Sequence, residues 1–508
     1  MDTKTLPHRL SSDSENSLEL SKEAQRLTGR TRRHGILVAC SLLVVLSFVG
    51  ISAFVFWTPY FETLSHSTPI SAPHDNVLEG QQPVEGMIEP STLDPWDPRI
   101  SLNGLPTAQF RGILGRQHSK PTLRRTDNLK QDVKYITSWP GAGWTNDVMT
   151  YANLIYLGFI TDRVPVVPMF TPSHINVGAT SPVPTIAFGE VFDLPRLRNL
   201  TGKAVLEWRD VKDPESEAVD DIGCWNIWEA VQYREHYPRR SSAPDHLKLD
   251  ISYTKAPAWV KLIPDFEHDP HATFWSLARL AFPQALHENA VTPLKSPLHG
   301  TSLPPDEHML CYDYMYYVCA QQPYEYDTDY SPAWRYVAQY MHWVPSIQDL
   351  ANIYLNRAFG IPEGEATPPY IAIHVRHYDF AYQCKVPIEE CFATIPVIAR
   401  RVKEVQDQLL QEQGMVVNHV IMTSDEKEEA WWQEVADQNW SIPDHSKTKE
   451  LYGHWHPVLI DAIIQSGGVG FVGTWGSTMS ILAKRRVEAW QGGVTRLVKW
   501  GYVGADDH

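Results

Sequence analysis

Apolar positions along this chain fall into three regimes. From Gly35 to Trp57 they run without a charged residue, GILVACSLLVVLSFVGISAFVFW, enough for one helix to span a bilayer core. From 58 to 130 they thin out among Pro, Ser, Gly and acidic residues (SAPHDNVLEGQQPVEGMIEPSTLDPWDPR), which leaves little to bury. From Gln131 they take up the periods of secondary structure. VKYITSW (133–139) reads as a strand and is followed by a Gly-rich turn; NDVMTYANLIYLGFI (146–160) has helical spacing, and VPVVPMF (164–170) reads as a second strand. Together they predict a β-α-β unit. Residues 171–330 are rich in Pro and aromatics and, apart from the strand-like KAVLEW (203–208), yield no topology.

The closing stretch is more regular. Its pattern predicts strands at 370–376, 417–425 and 469–475, and helices at 391–414 (ending at Gly414), 426–437, 458–468 and 476–490. This alternation implies an α/β fold, a parallel sheet with helices on both faces. In such a sheet the strand C-termini share one edge, and ligands bind in the crevice outside it. The three strands deliver to that edge His374 and Arg376, with Asp379 just beyond; Thr423, Ser424 and Asp425; and Thr474, Ser477 and Thr478.

A guanidinium such as Arg376 gives a phosphate two parallel hydrogen bonds, which an ammonium cannot. Backbone N–H groups of a helix opening at Ser477 and Thr478 form an anion site, and Asp425 can accept from a base or a ribose. The combination describes a nucleotide diphosphate pocket. Each member alone also has a structural reading, as a domain ion pair for Arg376, helix caps for Asp425 and Ser477, or a turn residue for Asp379. Their joint occurrence carries the specificity.

The 508 residues bear a formal charge of −16, which argues against a nucleic-acid partner, since affinity for the phosphate backbone comes from clustered Lys and Arg. Lys22, Arg26, Arg30, Arg32 and Arg33 precede the apolar run, and no Lys or Arg follows it until Arg99. The positive-inside rule then places residues 1–34 in the cytoplasm and the remainder in the lumen of the Golgi or endoplasmic reticulum, behind a single type II signal anchor. Sequons at Asn199 and Asn439 fit that compartment, as do five cysteines beyond the anchor. Their spacing predicts bridges Cys384–Cys391 and Cys311–Cys319, with Cys224 free.

HVRHYDF (374–380) resembles the H-x-R-x-x-D-F segment of the GDP-fucose protein O-fucosyltransferase family, and FVGTWGSTMS (471–480) its F-x-G-T-x-x-S-T-x-S segment. MTSD (422–425) is similar to the strand between them, and PGAGWTND (140–147) with the following helix and VPVVP to the N-terminal Gly-rich loop of that family. The resemblance covers about 133–170 and 368–492. It implies a GT-B glycosyltransferase of two Rossmann-like domains, an acceptor-side one at 131–365 and a nucleotide-sugar-binding one at 366–508, behind a cytoplasmic tail (1–34), an anchor (35–57) and a disordered stem (58–130). It further implies GDP-fucose as donor, a hydroxyl on protein or glycan as acceptor, and no metal or other cofactor. Arg376 would meet the departing GDP, His374 would line the same pocket, Asp425 would hold the nucleotide, and Ser477 and Thr478 the phosphates. Some members carry a glutamate base in the Gly-rich loop; here the loop holds Ala142, Asn146 and Asp147. Asn146 matches an asparagine of other members, and Asp147 is a possible substitute base or a helix-dipole partner.

Two other readings remain at this point: a non-catalytic lumenal nucleotide-sugar-binding protein, and a metal-dependent GT-A transferase built on Asp327 and Asp329. The histidine pairs His454/His456 and His374/His377 lack the further ligands of a zinc site.

Overall fold

The computed structural model describes residues 113–114, 120–175, 182–289, 291–328, 330–362 and 364–507. The tail, the anchor at 35–57, most of the stem and Asp329 lie outside the described residues. Among the described residues no helix is long and apolar enough to cross a membrane.

Two parallel sheets organise the chain. The first is built from β1 (Tyr135–Ser138), β2 (Val164–Val167), β3 (Leu206–Glu207), β4 (Asp220–Asn226), β5 (Leu249–Lys255) and, after a short β6 (Ala272–Thr273), β7 (Met309–Tyr312). Their order across the sheet is β3-β2-β1-β7-β4-β5, so the stretch from 171 that gave no topology in sequence continues the sheet that β1 and β2 begin. β6 pairs separately with β8 (Val318–Cys319). Helix α1 (Trp144–Ile160) joins β1 to β2 and is buried on nearly all faces, which is why its sequence is apolar well beyond one stripe.

Helix α2 (Pro345–Phe359) leads to β9 (Tyr370–Val375); then come α3 (Ile395–Gln413), β10 (His419–Ser424), α4 (Glu429–Asp437), α5 (His456–Gly467), β11 (Gly470–Thr474), α6 (Thr478–Arg486) and β12 (Val494–Val498). The second sheet has the order β10-β9-β11-β12, all parallel. Alternate side chains of β9 serve opposite faces, as strand geometry requires. Ile371, Ile373 and Val375 pack with Ile398, Val402, Val405 and Leu409 of α3, whereas Tyr370 and Ala372 pack with Leu459, Ile460 and Ile463 of α5. Burial on both faces explains the unbroken apolar run YIAI. Helix α2 packs along α5.

Beyond shifts of a few residues at other ends, three departures from the sequence pattern stand out. The helix expected at 391–414 starts at Ile395, with Pro396 in its first turn, and ends as expected at Gly414, whose φ of 65° closes the helix; a separate single turn, Ile388–Cys391, precedes it. The closing helix stops at Arg486 and continues as a π-turn, Val487–Gln491. β12 had no counterpart in the pattern, because VTRLV follows a Gly pair at the sheet edge and is only partly buried.

Cysteine pairing also departs from expectation. Cys384 bonds Cys391, but Cys224 bonds Cys311 across 87 residues, and Cys319 is free and buried. Trp225 of β4 stands opposite Tyr312 of β7, so the residues before them are cross-strand neighbours. Sequence distance was the wrong guide; strand order decides.

Candidate active site

β9 and β11 lie side by side while their onward connections diverge, β9 through α3 to β10 on one side and β11 through α6 to β12 on the other. That divergence opens a crevice at their C-terminal ends. His374, at the end of β9, is buried, and its Nδ1 lies 2.7 Å from Ser480 Oγ of α6. The same Oγ accepts the Thr474 N–H at 3.0 Å, so this hydroxyl joins the imidazole to the end of β11. Burial, reinforced by the Arg376 cation, pushes this imidazole down to about 3. His374 therefore stays neutral and offers a donor without adding charge. Thr474 Oγ1 ties the two strand ends together, accepting the Arg376 N–H at 3.0 Å and donating to the His374 carbonyl at 3.2 Å.

The Arg376 guanidinium spans two carboxylates, with Nη1 at 2.7 Å from Asp425 Oδ2 and Nη2 at 2.8 Å from Asp379 Oδ1. Asp425 is itself fixed by the His377 N–H, 2.8 Å from its Oδ1. An arriving phosphate competes with these carboxylates for the fork, and Asp379, half exposed, is the freer to yield. Ser424 has a local task, its Oγ accepting the Glu426 N–H at 3.1 Å. His377 stacks on Phe392 with ring centroids 4.2 Å apart, and Phe380 on Trp500 at 4.9 Å. Beside Arg376 this leaves a hollow walled by Ile373, Phe392, Val472, Val498 and Trp500.

From the other side, Gly476 (φ +82°) turns the chain into α6, and Ser477 caps that helix without a side-chain bond of its own. Thr478 Oγ1 donates to Asn146 Oδ1 at 2.8 Å and lies 2.7 Å from Thr145 Oγ1. The Gly-rich loop after β1 is thus fastened to the N-terminus of α6, and the C-terminal edges of the two sheets meet. Arg376, His374, Asp379, Asp425, Thr474, Ser477, Thr478 and Asn146 all stand at this meeting.

Asp147 lies beneath the loop. It is 1% exposed, and its Oδ1 accepts the N–H groups of Gly141 at 3.0 Å and Ala142 at 3.1 Å. Burial raises its pKa well above the carboxylate range, the two N–H groups opposing the shift. This geometry makes it the clasp of the loop, in place of the open base that the sequence allowed.

Two residues that the sequence pattern did not single out stand on the same edge. Arg239 clasps the Gly141 carbonyl through Nη2 at 2.8 Å and lies over the Trp228 ring at 4.5 Å. His174 follows β2; its neighbour Ser173 donates to the Ala142 carbonyl at 3.2 Å, and a Cβ on Gly143 would stand 3.9 Å from His174 Cδ2. Their signal was positional: both leave C-terminal ends of strands in the first sheet, adjacent to the Gly-rich loop. Asp313, fully buried at the end of β7, organises this edge by accepting the N–H groups of Ile227 at 2.7 Å and Arg239 at 3.1 Å; burial pushes its carboxyl up to about 7 against those donors.

Among the described residues, the side chains grouped closely enough to hold a metal ion are Asp221, Asp250 and His299. Asp221 and Asp250 sit at the N-terminal ends of β4 and β5, the opposite sheet edge, with His299 on a neighbouring turn, and Asp250 already accepts from Ser296 Oγ and the N–H groups of Leu298 and His299. Asp327 pairs with Lys484 of α6 at 3.3 Å.

The Cys384–Cys391 bridge closes the short loop that follows the turn Tyr378–Gln383, which carries Asp379 and Phe380 and ends at Cys384. So short a loop contributes about 2 kcal/mol by chain entropy. Replacing Cys384 with Ser is expected to lower the melting temperature by only a few degrees while reducing ligand affinity severalfold, because the turn that carries Asp379 and Phe380 loses its C-terminal anchor. Unchanged affinity in the variant, measured by calorimetry with GDP, would separate the bridge from the site.

No family model matches the chain, and no curated protein matches it. Solved structures do. The POFUT1 crystal structure in its apo form is 14% identical with a TM-score of 0.45, covering 73% of this chain and 99% of its own. That of NodZ alpha-1,6-fucosyltransferase soaked with GDP-fucose is 12% identical with a TM-score of 0.36, covering 70% and 92%; fucosyltransferase NodZ from Bradyrhizobium is also 12% identical, at 0.34, covering 70% and 93%.

Proposed function

We propose that this chain is a GT-B glycosyltransferase that transfers fucose from GDP-fucose to a hydroxyl group of a protein or glycan. The observation that carries the reading is the convergence of Arg376, His374, Thr474 and the α6 N-terminus at one strand crossover, closed from the facing sheet by Asn146 on Thr478. These residues are the ones through which HVRHYDF and FVGTWGSTMS resemble the O-fucosyltransferase family.

Chemically, the pocket supplies what a leaving diphosphate needs. The transition state builds negative charge on the oxygen of the β-phosphate as its bond to the sugar breaks. Arg376 meets that charge with two N–H groups, the N–H groups opening α6 add the positive end of a helix, and neutral His374 lines the pocket without adding charge. Preorganised donors of this kind are worth most where charge develops. The hollow beside Arg376 offers the nucleotide an apolar wall that includes Phe392 and Trp500, and Asp425 pairs with the guanidinium that lines it.

The reading is tested by incubating the protein with GDP- and UDP-sugars and following nucleotide release, with and without excess EDTA. GDP-fucose is expected to be consumed in preference to UDP-sugars, and consumption is expected to persist in EDTA, since Arg376 and α6 already neutralise the diphosphate. Binding of GDP without turnover of any GDP-sugar would make the chain a nucleotide-sugar-binding protein instead. Loss of activity on chelation, restored by manganese, would bring Asp327 forward as a metal ligand.

A further inference from the structure

Resting on the transferase reading above, we infer that His174 is the general base of the reaction, taking the proton of the acceptor hydroxyl as it attacks the sugar. Its position follows from the fold. β1 and β2 are adjacent parallel strands, so the loop 139–143 after β1 and the segment 171–174 after β2 leave the same sheet edge side by side. Ser173 is hydrogen-bonded to Ala142, and the His174 ring lies against Gly143. Three residues further on, in the first turn of α1, Asn146 is bonded to the helix that faces the diphosphate. His174 thus stands on the acceptor side of the cleft, across from Arg376.

The other candidate bases are engaged. Asp147 is buried beneath the loop with Oδ1 holding two N–H groups. Asp379 and Asp425 both carry the charge of Arg376, and Asn146 is an amide. His374 is buried, with Nδ1 taken by Ser480. His174 keeps solvent access as a residue while its ring is partly packed against the loop, and it makes no hydrogen bond among the described residues. The charged groups that bear on it are Asp379, which favours its protonation, and Arg376 and Arg239, which oppose it; desolvation is the largest influence and also opposes it. The net result is a pKa below the ordinary histidine value, so the ring is neutral and able to accept a proton over a correspondingly wider, more acidic range.

The step balances as a single displacement. The acceptor oxygen forms a bond to C1 of the sugar, and the bond from C1 to the β-phosphate oxygen breaks with its electron pair leaving on GDP. The hydroxyl proton passes to a ring nitrogen of His174, and the resulting imidazolium returns it to water. Water can serve as the acceptor in the same geometry, which permits a test with the donor alone.

GDP release from GDP-fucose is measured from acidic to neutral pH for the wild type and for His174→Gln, with GDP affinity measured by calorimetry in parallel. The wild type is expected to lose activity on acidification, with a midpoint below the ordinary histidine range. His174→Gln is expected to fall by about 10²-fold, the usual contribution of a positioned base, to lose that acidic limb, and to bind GDP within about twofold of the wild type. In His174→Ala, added imidazole is expected to restore part of the rate. A variant that keeps both rate and acidic limb would overturn the inference and leave the transferase reading standing. A wild type that releases no GDP from GDP-fucose or any other GDP-sugar would remove the transferase reading, and the inference falls with it.

Discussion

Replacing Arg376 with lysine is expected to lower GDP-fucose turnover by about 10²-fold or more while leaving the melting temperature near that of the wild type. Charge is conserved in this variant, so any loss reports on geometry. The guanidinium reaches Asp425 with one terminal nitrogen and Asp379 with the other, and its plane and position are set by those two contacts and by its own backbone N–H on Thr474. An ammonium on a flexible stem can satisfy one of these carboxylates at a time and can offer a phosphate no parallel pair of donors. Stability should change little, because the side chain is one-third exposed and exposed ion pairs contribute about 0–1 kcal/mol. Steady-state kinetics with a melting curve decide the matter. Wild-type turnover in a folded Arg376→Lys protein would take the guanidinium out of the mechanism, and the loss of GDP binding along with turnover would assign it to ground-state affinity.

The parts of this site that were legible in the sequence are those fixed by strand endings. A parallel sheet puts the C-termini of its strands on one edge whatever the strand order, so His374, Arg376, Thr474 and Ser477 could be gathered without knowing that β9 and β11 are neighbours. Features that depend on strand order were not legible. Cys224 meets Cys311 because β7 inserts between β1 and β4, and no local pattern announces that insertion. His174 was passed over for a related reason, since it follows β2 in a Pro-containing turn whose neighbours come from a different connection. Asp147 was legible as an acid in the first turn of a helix, but its solvent access was not. The sequence cannot reveal that the loop folds back to place Gly141 and Ala142 N–H groups on its carboxylate. The late start of α3 is local, by contrast: Pro396 suits the first turn of a helix better than its interior, and the pattern 391–414 could have been trimmed on that ground.

Gly473→Ala is expected to be the most damaging single-methyl change in the pocket. Gly473 sits where β11 passes beneath α6, and a Cβ there would lie 2.6 Å from Phe471 Cε1 and 2.7 Å from Ser480 Cβ. Both are too close for carbon atoms, and neither neighbour can swing away, since Phe471 is fully buried in the core and Ser480 is fully buried in α6. The helix must therefore move outward. Ser480 Oγ is the atom that joins the Thr474 N–H to His374 Nδ1, so the displacement breaks the link that orients the His374 ring as it shifts the N–H groups of Ser477 and Thr478. Overpacking of this kind costs about 1–3 kcal/mol in stability, and a misplacement of about 1 Å in catalytic donors can cost 10²-fold in rate. The protein should remain folded with a lowered melting temperature, bind GDP more weakly, and turn over GDP-fucose about 10²-fold more slowly. Ser480→Ala distinguishes the two contributions. It removes the hydroxyl without adding volume, so it should leave buried His374 Nδ1 and the Thr474 N–H unpaired, at about 1–3 kcal/mol, with α6 in place. If Gly473→Ala binds and turns over donor like the wild type, close packing of α6 on β11 is not what positions the phosphate donors.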